Sequence, residues 1–251
     1  MFFVPGQPLR DEEKEDMMRD LELSPRLRAL ADRVPAGARL ADVGTDHAYL
    51  PAELVLSGKI PSALASDVRE GPLDRGRETA RLWGVEDQIT FRCCDGLKGV
   101  AAEETDAVVI AGMGGMLIAR ILEAAPWTRE KALLLQPMST QPQLRRWLTE
   151  HGYVIQEETV VREENKYYVI LMVTGGTSTP YTQAELWAGR QTQGQNIPCR
   201  LAYLDQLIRR RTRALAGMKR SSALPQSVME EEQTTLTQLE QMREEWNAWQ
   251  Q

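Results

Sequence analysis

Histidine is scarce in this chain, with only His47 and His151 among 251 residues, and cysteine is nearly so, with Cys93, Cys94 and Cys199. So few imidazoles leave no histidine-based metal site to assemble. Three cysteines, two of them adjacent, give neither a disulfide framework nor a CxxC metal pair. Long apolar runs are missing too, so no stretch reads as a bilayer span. The first twenty residues, MFFVPGQPLRDEEKEDMMRD, hold too short an apolar run for a secretory signal before turning acidic. A reducing cytoplasm is therefore the expected compartment. Excess positive charge is also lacking. The net charge is -6, so any contact with nucleic acid must come from a local patch.

What is present is ordinary for a packed soluble protein, at 42% hydrophobic and 26% charged. The length admits one large domain with an appendage. Residues 1–22 read as a charged extension, 23–176 as an α/β domain and 177–251 as a helical arm. In "LSPRLRALADRVP", Ser24 stands as N-cap, Pro25 takes the first helical position and Pro35 stops the helix. An alternation follows. Strands are expected in "ARLADVG", "SALASDV", "QITFRCCDG", "DAVVIAGMG" and "KALLLQPM", with helices after the first, second, fourth and fifth. That order predicts a doubly wound, Rossmann-like sheet. "YVIQEETVV" and "KYYVILMVT", joined by "REEN", predict an antiparallel hairpin closing a seven-stranded sheet of the methyltransferase kind. Beyond the "GGTSTP" linker, Leu201, Leu204, Ile208, Leu215 and Met218 recur at heptad-like spacing, as do Leu239, Met242, Trp246 and Trp249. An antiparallel, coiled-coil-like hairpin with "SSALPQS" as its turn is expected.

In a doubly wound sheet, ligands bind off the carboxyl ends of the strands. Four features fall there. Asp42 precedes Gly44 at the end of the first strand, where a carboxylate can meet a cationic amino group and a bare turn lets a ligand approach. An ordinary strand-to-helix turn capped by Thr45 or Asp46 would read the same way. Asp67 ends the second strand, placed to hold ribose hydroxyls, or simply to favour a helix N-terminus. Asp95 and Gly96 end the third, suited to an adenine amine and ring, or to a common Asp-Gly turn. Ala111, Gly112 and Met113 end the fourth, where glycines free the backbone. The first turn carries one glycine and the acidic Asp46, which would repel a pyrophosphate. A phosphate-free, positively charged sulfonium suits this acid-rich rim, which points to S-adenosylmethionine.

"LSPRLRALADRVP", "RLADVGTDHAYLP", "ASDV", "CDGL", "IAGMGG" and "LLLQP" together resemble the bacterial tRNA (adenine-N1)-methyltransferase family TrmK, over roughly Leu23 to Thr174. The resemblance implies methyl transfer to N1 of the adenine at position 22, in the D-loop region of tRNA. It implies Asp42, Gly44 and Thr45 in the cofactor loop, Asp67 at the ribose, Asp95 and Gly96 at the adenine side and Ala111 to Met113 beside the methionine. It also implies a polar cluster of Asp46, His47 and Tyr49 at the mouth, and a post-strand Gln136–Pro137 pair. "GMGG" stands where amino-directed enzymes carry an Asn/Asp-Pro-Pro-aromatic signature, in keeping with attack by a ring nitrogen. Around "ELWAGRQTQG" an arginine replaces an expected proline.

Methylation makes adenine cationic, so Asp46 is the candidate to stabilise that charge or accept a proton from N6. His47 would orient the base or relay the proton, Tyr49 would stack on it or hydrogen-bond to it, and Gln136 would read its edge. Each residue also has a structural alternative: helix-start bonding, core packing, or capping of the next helix. The basic candidates for RNA contact are Arg209, Arg210, Arg211, Arg213, Lys219 and Arg220. A solvated coiled-coil surface is the alternative. Two other functions share this sequence pattern, a nicotinamide-dependent oxidoreductase and a non-catalytic RNA-binding module. No membrane and no obligate protein partner is expected.

Overall fold

The computed structural model describes residues 23–220 and 225–250. The charged extension expected over 1–22 lies outside them. Helix α1 (Pro25–Arg33) starts at its proline and buries Ala29, Leu30 and Ala31. Ser24 stands at the N-cap position, but its hydroxyl makes no cap bond and is buried without a partner. Five strands and four helices follow: β1 (Leu40–Val43), α2 (Tyr49–Leu56), β2 (Ala63–Asp67), α3 (Glu70–Leu82), β3 (Ile89–Cys93), β4 (Ala107–Gly114), α4 (Gly115–Glu123), β5 (Ala132–Ser139) and α5 (Gln141–Glu150). Strands β6 (Tyr153–Glu163) and β7 (Lys166–Gly175) then form the hairpin. Its connection is tighter than "REEN" suggests, because β6 runs on through Glu163 and leaves only Glu164 and Asn165 as the loop.

The sheet order is β3-β2-β1-β4-β5-β7-β6. Strands β1 to β5 are parallel, and β7 enters antiparallel beside β5. The chain winds one way from β1 to β3 and the other way from β4 to β5. The switch point therefore lies between the carboxyl ends of β1 and β4, where a crevice must open.

Both faces of the sheet are covered, so central strands read as continuous apolar runs. On one face, Leu30, Leu54, Ile60 and Ala80 of the α1–α3 side pack on Leu40, Val109 and Leu134. On the other, Ile118, Leu122, Leu144 and Leu148 pack on Ala41, Val108, Ile110 and Leu133. Side chains alternate along each strand. Asp42 and Gln136 therefore point to the α1 side at the sheet's upper edge.

The arm begins with α6 (Gln183–Ala188), opened by a reciprocal cap between Thr182 and Glu185. Helices α7 (Arg200–Met218) and α8 (Gln226–Trp249) run antiparallel, as the cross-pairs Asp205–Arg243 and Arg211–Glu232 require. The seam buries Tyr203, Leu204, Leu207 and Leu215 against Leu236, Leu239, Met242 and Trp246. Leu201 and Ile208 are only partly buried, so the buried stripe includes two residues, Tyr203 and Leu207, that the heptad reading passed over. The base of the hairpin shares a hydrophobic cluster with the sheet face and α5, so it is continuous with the core there. Arg190, at the position where a proline was expected, stacks over Tyr181 at 3.9 Å and donates to Thr179 O and Pro180 O. It clamps the linker by contacts where a proline would have stiffened it by geometry.

Candidate active site

The turn after β1 is pinned to the end of β2. The amides of Gly44 and Thr45 both donate to Ser66 O, at 2.7 and 3.0 Å. Gly44 has φ +77°, which a side chain disfavours, and a Cβ there would run into the methyl end of Met113. The ends of β1 and β4 thus converge on one space. Asp42 lies beneath this turn, 7% exposed. Burial pushes its carboxyl up to about 6, partly offset by a hydrogen bond from Thr45, and among the described residues no cation pairs with it. Thr45 is itself buried and engaged with Asp42, so it caps no helix; helix α2 is instead entered through Ala48.

On the neighbouring strands the acids stand differently. Asp67 is partly buried at the end of β2, and its Oδ1 accepts from the Arg69 amide at 2.9 Å. Asp95 is exposed and held by Lys98 at 2.6 Å, which keeps its carboxyl below the ordinary range. The expected adenine-side acid therefore points to a lysine and solvent, while Gly96 beside it lies against Ile121. At β4, Gly112 adopts φ +77° within a bulge between Ala111 and Met113.

The mouth is formed by the β1–α2 loop. Asp46 is exposed and bonded to Arg75 of α3, which holds its carboxyl below the ordinary range. His47 Nε2 is 3.9 Å from the second oxygen of Asp46. His47 and Tyr49 stack flat, with centroids 5.1 Å apart and planes within 4°. Tyr49 is 44% exposed, so it is not a core tyrosine. Beside this pair a hollow of about 590 Å³ runs between α1 and α3, walled by Leu23, Leu27, Leu82 and Trp83.

Gln136 differs from the exposed residues of the mouth. It is fully buried. Its Oε1 accepts from the Gly112 amide at 3.2 Å and from Arg26 Nη1 at 3.1 Å. Its Nε2 faces Met138 Sδ at 3.5 Å. An amide so placed does not cap α5, whose N-cap position is Thr140. It fixes the β4 bulge instead. Arg26 and Arg75 were missed in the sequence. Arg26 lies within "LSPRL" and reads there as helix surface, and Arg75 is one of several arginines on α3. Only the fold brings them to Gln136 and Asp46. Of the basic candidates on α7, Arg211 stacks over Trp187 at 4.0 Å and pairs with Glu232 at 3.4 Å, so it is a structural cation. Arg209, Arg210, Arg213, Lys219 and Arg220 are exposed.

A methyltransferase-domain family model matches residues 23–171, which is the sheet with α1 to α5. The Bacillus subtilis tRNA (adenine(22)-N(1))-methyltransferase is 39% identical over 161 residues, covering 63% of this chain and 68% of that protein. The chain belongs to the TrmK methyltransferase family. The likeness of this TrmK-family chain extends past the domain. The crystal structure of the B. subtilis m1A22 tRNA methyltransferase TrmK superposes with a TM-score of 0.73 at 30% identity, covering 91% of this chain and 99% of that one. A Streptococcus pneumoniae protein solved in complex with S-adenosyl-L-methionine gives a TM-score of 0.76 at 32% identity, covering 87% and 99%. Among the described residues, no helix of this TrmK-family chain is long and apolar enough to cross a membrane.

Proposed function

We propose that this protein transfers a methyl group from S-adenosylmethionine to N1 of adenine 22 in tRNA. The observation that carries the reading is the buried carboxylate of Asp42, beneath the Gly44 turn at the topological switch point and without a cation among the described residues. Such a group is costly until a cation arrives. An amino group or sulfonium close by would supply that charge, so the residues present fit the methyl donor. Asp42, Gly44 and Thr45 hold its methionine end, Asp67 its ribose, and Asp95 with Gly96 border its base. Ala111 to Met113 close the strand end opposite. A nicotinamide dinucleotide fits poorly, because the exposed Asp46 would face its pyrophosphate.

When bound, the sulfonium supplies an electrophilic methyl for in-line displacement. The protein's work is to place adenine N1 behind that carbon and to meet the charge that develops. The stacked His47 and Tyr49 offer a flat surface for a base leaving its helix. Arg75 keeps Asp46 ionised, so a carboxylate stands ready for the cationic ring or for the proton lost from N6. Gln136 and Arg26 act as positioning residues, holding the Gly112 bulge. Residues 23–176 form the transferring domain, and 177–251 form an arm whose exposed arginines face the tRNA body. A chain with this substrate works in the cytoplasm.

The test is nucleoside mass spectrometry of tRNA incubated with the protein and isotopically labelled methyl donor. Labelled 1-methyladenosine at position 22 is expected. Unmodified tRNA would refute the activity and leave the RNA-binding alternative.

A further inference from the structure

One hollow lies on the α7 side of the sheet edge, apart from the cofactor loop and the mouth cluster. It encloses about 370 Å³ between the end of β5, the tip of the β6–β7 hairpin, α6 and α7. Its walls include Tyr167, Trp187 and Tyr203, with Lys166, Arg210 and Arg211 around them, and among the described residues no Asp or Glu lines it. In a chain of net charge -6 that is a local inversion. Hollows elsewhere carry acids: Glu231 and Glu232 in one, Glu78 in another, Glu150 in a third. The aromatic wall is fixed. Tyr203 is buried against Tyr167 at 6.1 Å between centroids, and Arg211 lies flat over Trp187. Lys166 and Arg210 are exposed at the rim. The slot opens at Pro137, Met138 and Ser139, directly after Gln136 on the same strand.

We infer that this slot receives the nucleotide next to the methylated adenine along the tRNA strand, its base against the aromatic wall and its phosphate between Lys166 and Arg210. The inference rests on the tRNA reading above and deepens it. A base has a π-face whatever its identity, so aromatic side chains recognise an unpaired nucleotide without reading its sequence. Exposed cations with no competing carboxylate suit a phosphate. Gripping the neighbour also explains how the target base is kept unstacked: the strand is held on both sides of the sheet edge.

The experiment uses the full chain and tRNA transcripts with an abasic residue immediately 5′ or 3′ of the target adenine. On one side, the missing base weakens wild-type binding by roughly tenfold, the loss expected for one stacked base. The double variant Lys166→Ala, Arg210→Ala weakens binding of intact tRNA and lowers its log–log salt slope by about 0.7, the value for one single-strand phosphate. Affinity for S-adenosylmethionine stays unchanged. The variant Arg213→Ala, Lys219→Ala, farther along the arm, leaves the abasic penalty in place. Binding of both abasic transcripts as tight as that of intact tRNA would overturn the slot even where methylation proceeds normally. A wild-type chain that neither binds nor methylates tRNA would overturn the substrate, and the slot with it.

Discussion

Glu158 and Asp42 are both buried carboxylates, yet among the described residues only Glu158 has a cation beside it. Glu158 accepts from Arg145 Nε at 3.2 and 3.1 Å and from Nη2 at 2.7 Å. Arg145 then donates its remaining Nη1 to Leu186 O at 2.7 Å, satisfying the end of α6. That pair joins α5, β6 and the foot of the arm, and its charges are matched inside the fold. Asp42 has only Thr45, so burial lifts it to about 6. A buried acid with its own cation serves the architecture, whereas one without a cation marks where something positive must come from outside.

The sharpest way to break this contrast is to remove the cation at the matched site. Arg145→Ala should cost about 3–5 kcal/mol, because it leaves Glu158 buried and alone. Denaturant unfolding measures it, and Arg145→Met with Glu158→Leu should recover part of the loss. A single variant as stable as wild type would show that this pair is not a structural clamp.

At the open site the largest effect falls on turnover. Asp46→Ala should lower kcat by roughly 10²–10³-fold, as loss of a charge-stabilising group does, while donor affinity by calorimetry stays near wild type. Full activity would remove Asp46 from the chemistry.

Asp42 makes the contrast a matter of pH. Its folded value of about 6 lies above the ordinary 3.8, so the folded state binds the extra proton between them. Stability of the free protein therefore falls as pH rises from 3.8 to 6, by roughly 3 kcal/mol at 1.36 kcal/mol per unit. A bound cation reverses the preference, so donor affinity should weaken as pH drops below about 6. Asp42→Asn should bind the donor weakly with no such pH dependence, and should unfold later than wild type at neutral pH. A pH-independent wild-type affinity would show that Asp42 does not meet the donor's charge.

The smallest effect separates the arm's cations. Arg211→Ala should lower stability by about 1 kcal/mol through its lost stacking on Trp187, with little change in the salt dependence of tRNA binding. Arg209→Ala with Arg213→Ala should do the opposite. Identical behaviour of the two would mean that exposure does not sort these arginines.

Much of the sheet was legible in the chain because its signals are local. Apolar runs broken by glycine, followed by helical periodicity, marked β1 to β5 and their helices. The hairpin and the two arm helices followed from alternation and heptad spacing. Inside the site, legibility stopped at strand ends. Asp42, Gly44 and Met113 could be placed there from the pattern, but the closeness of Met113 to Gly44 depends on β1 and β4 being neighbours. The hold of Gln136 on the β4 bulge was not legible, because its partners, Gly112 and Arg26, lie 24 and 110 residues away.

The sequence by itself determined where the chain turns, which segments hide and which acids end the strands, because those follow from side-chain size, polarity and spacing along a few residues. Only the tertiary structure decided which charges are matched. Arg145 finds Glu158, Arg75 finds Asp46, Arg211 finds Trp187 and Glu232, and Asp42 finds no cation among the described residues. Coulomb energy depends on distance and on what lies between the charges, and neither is written in the order of residues.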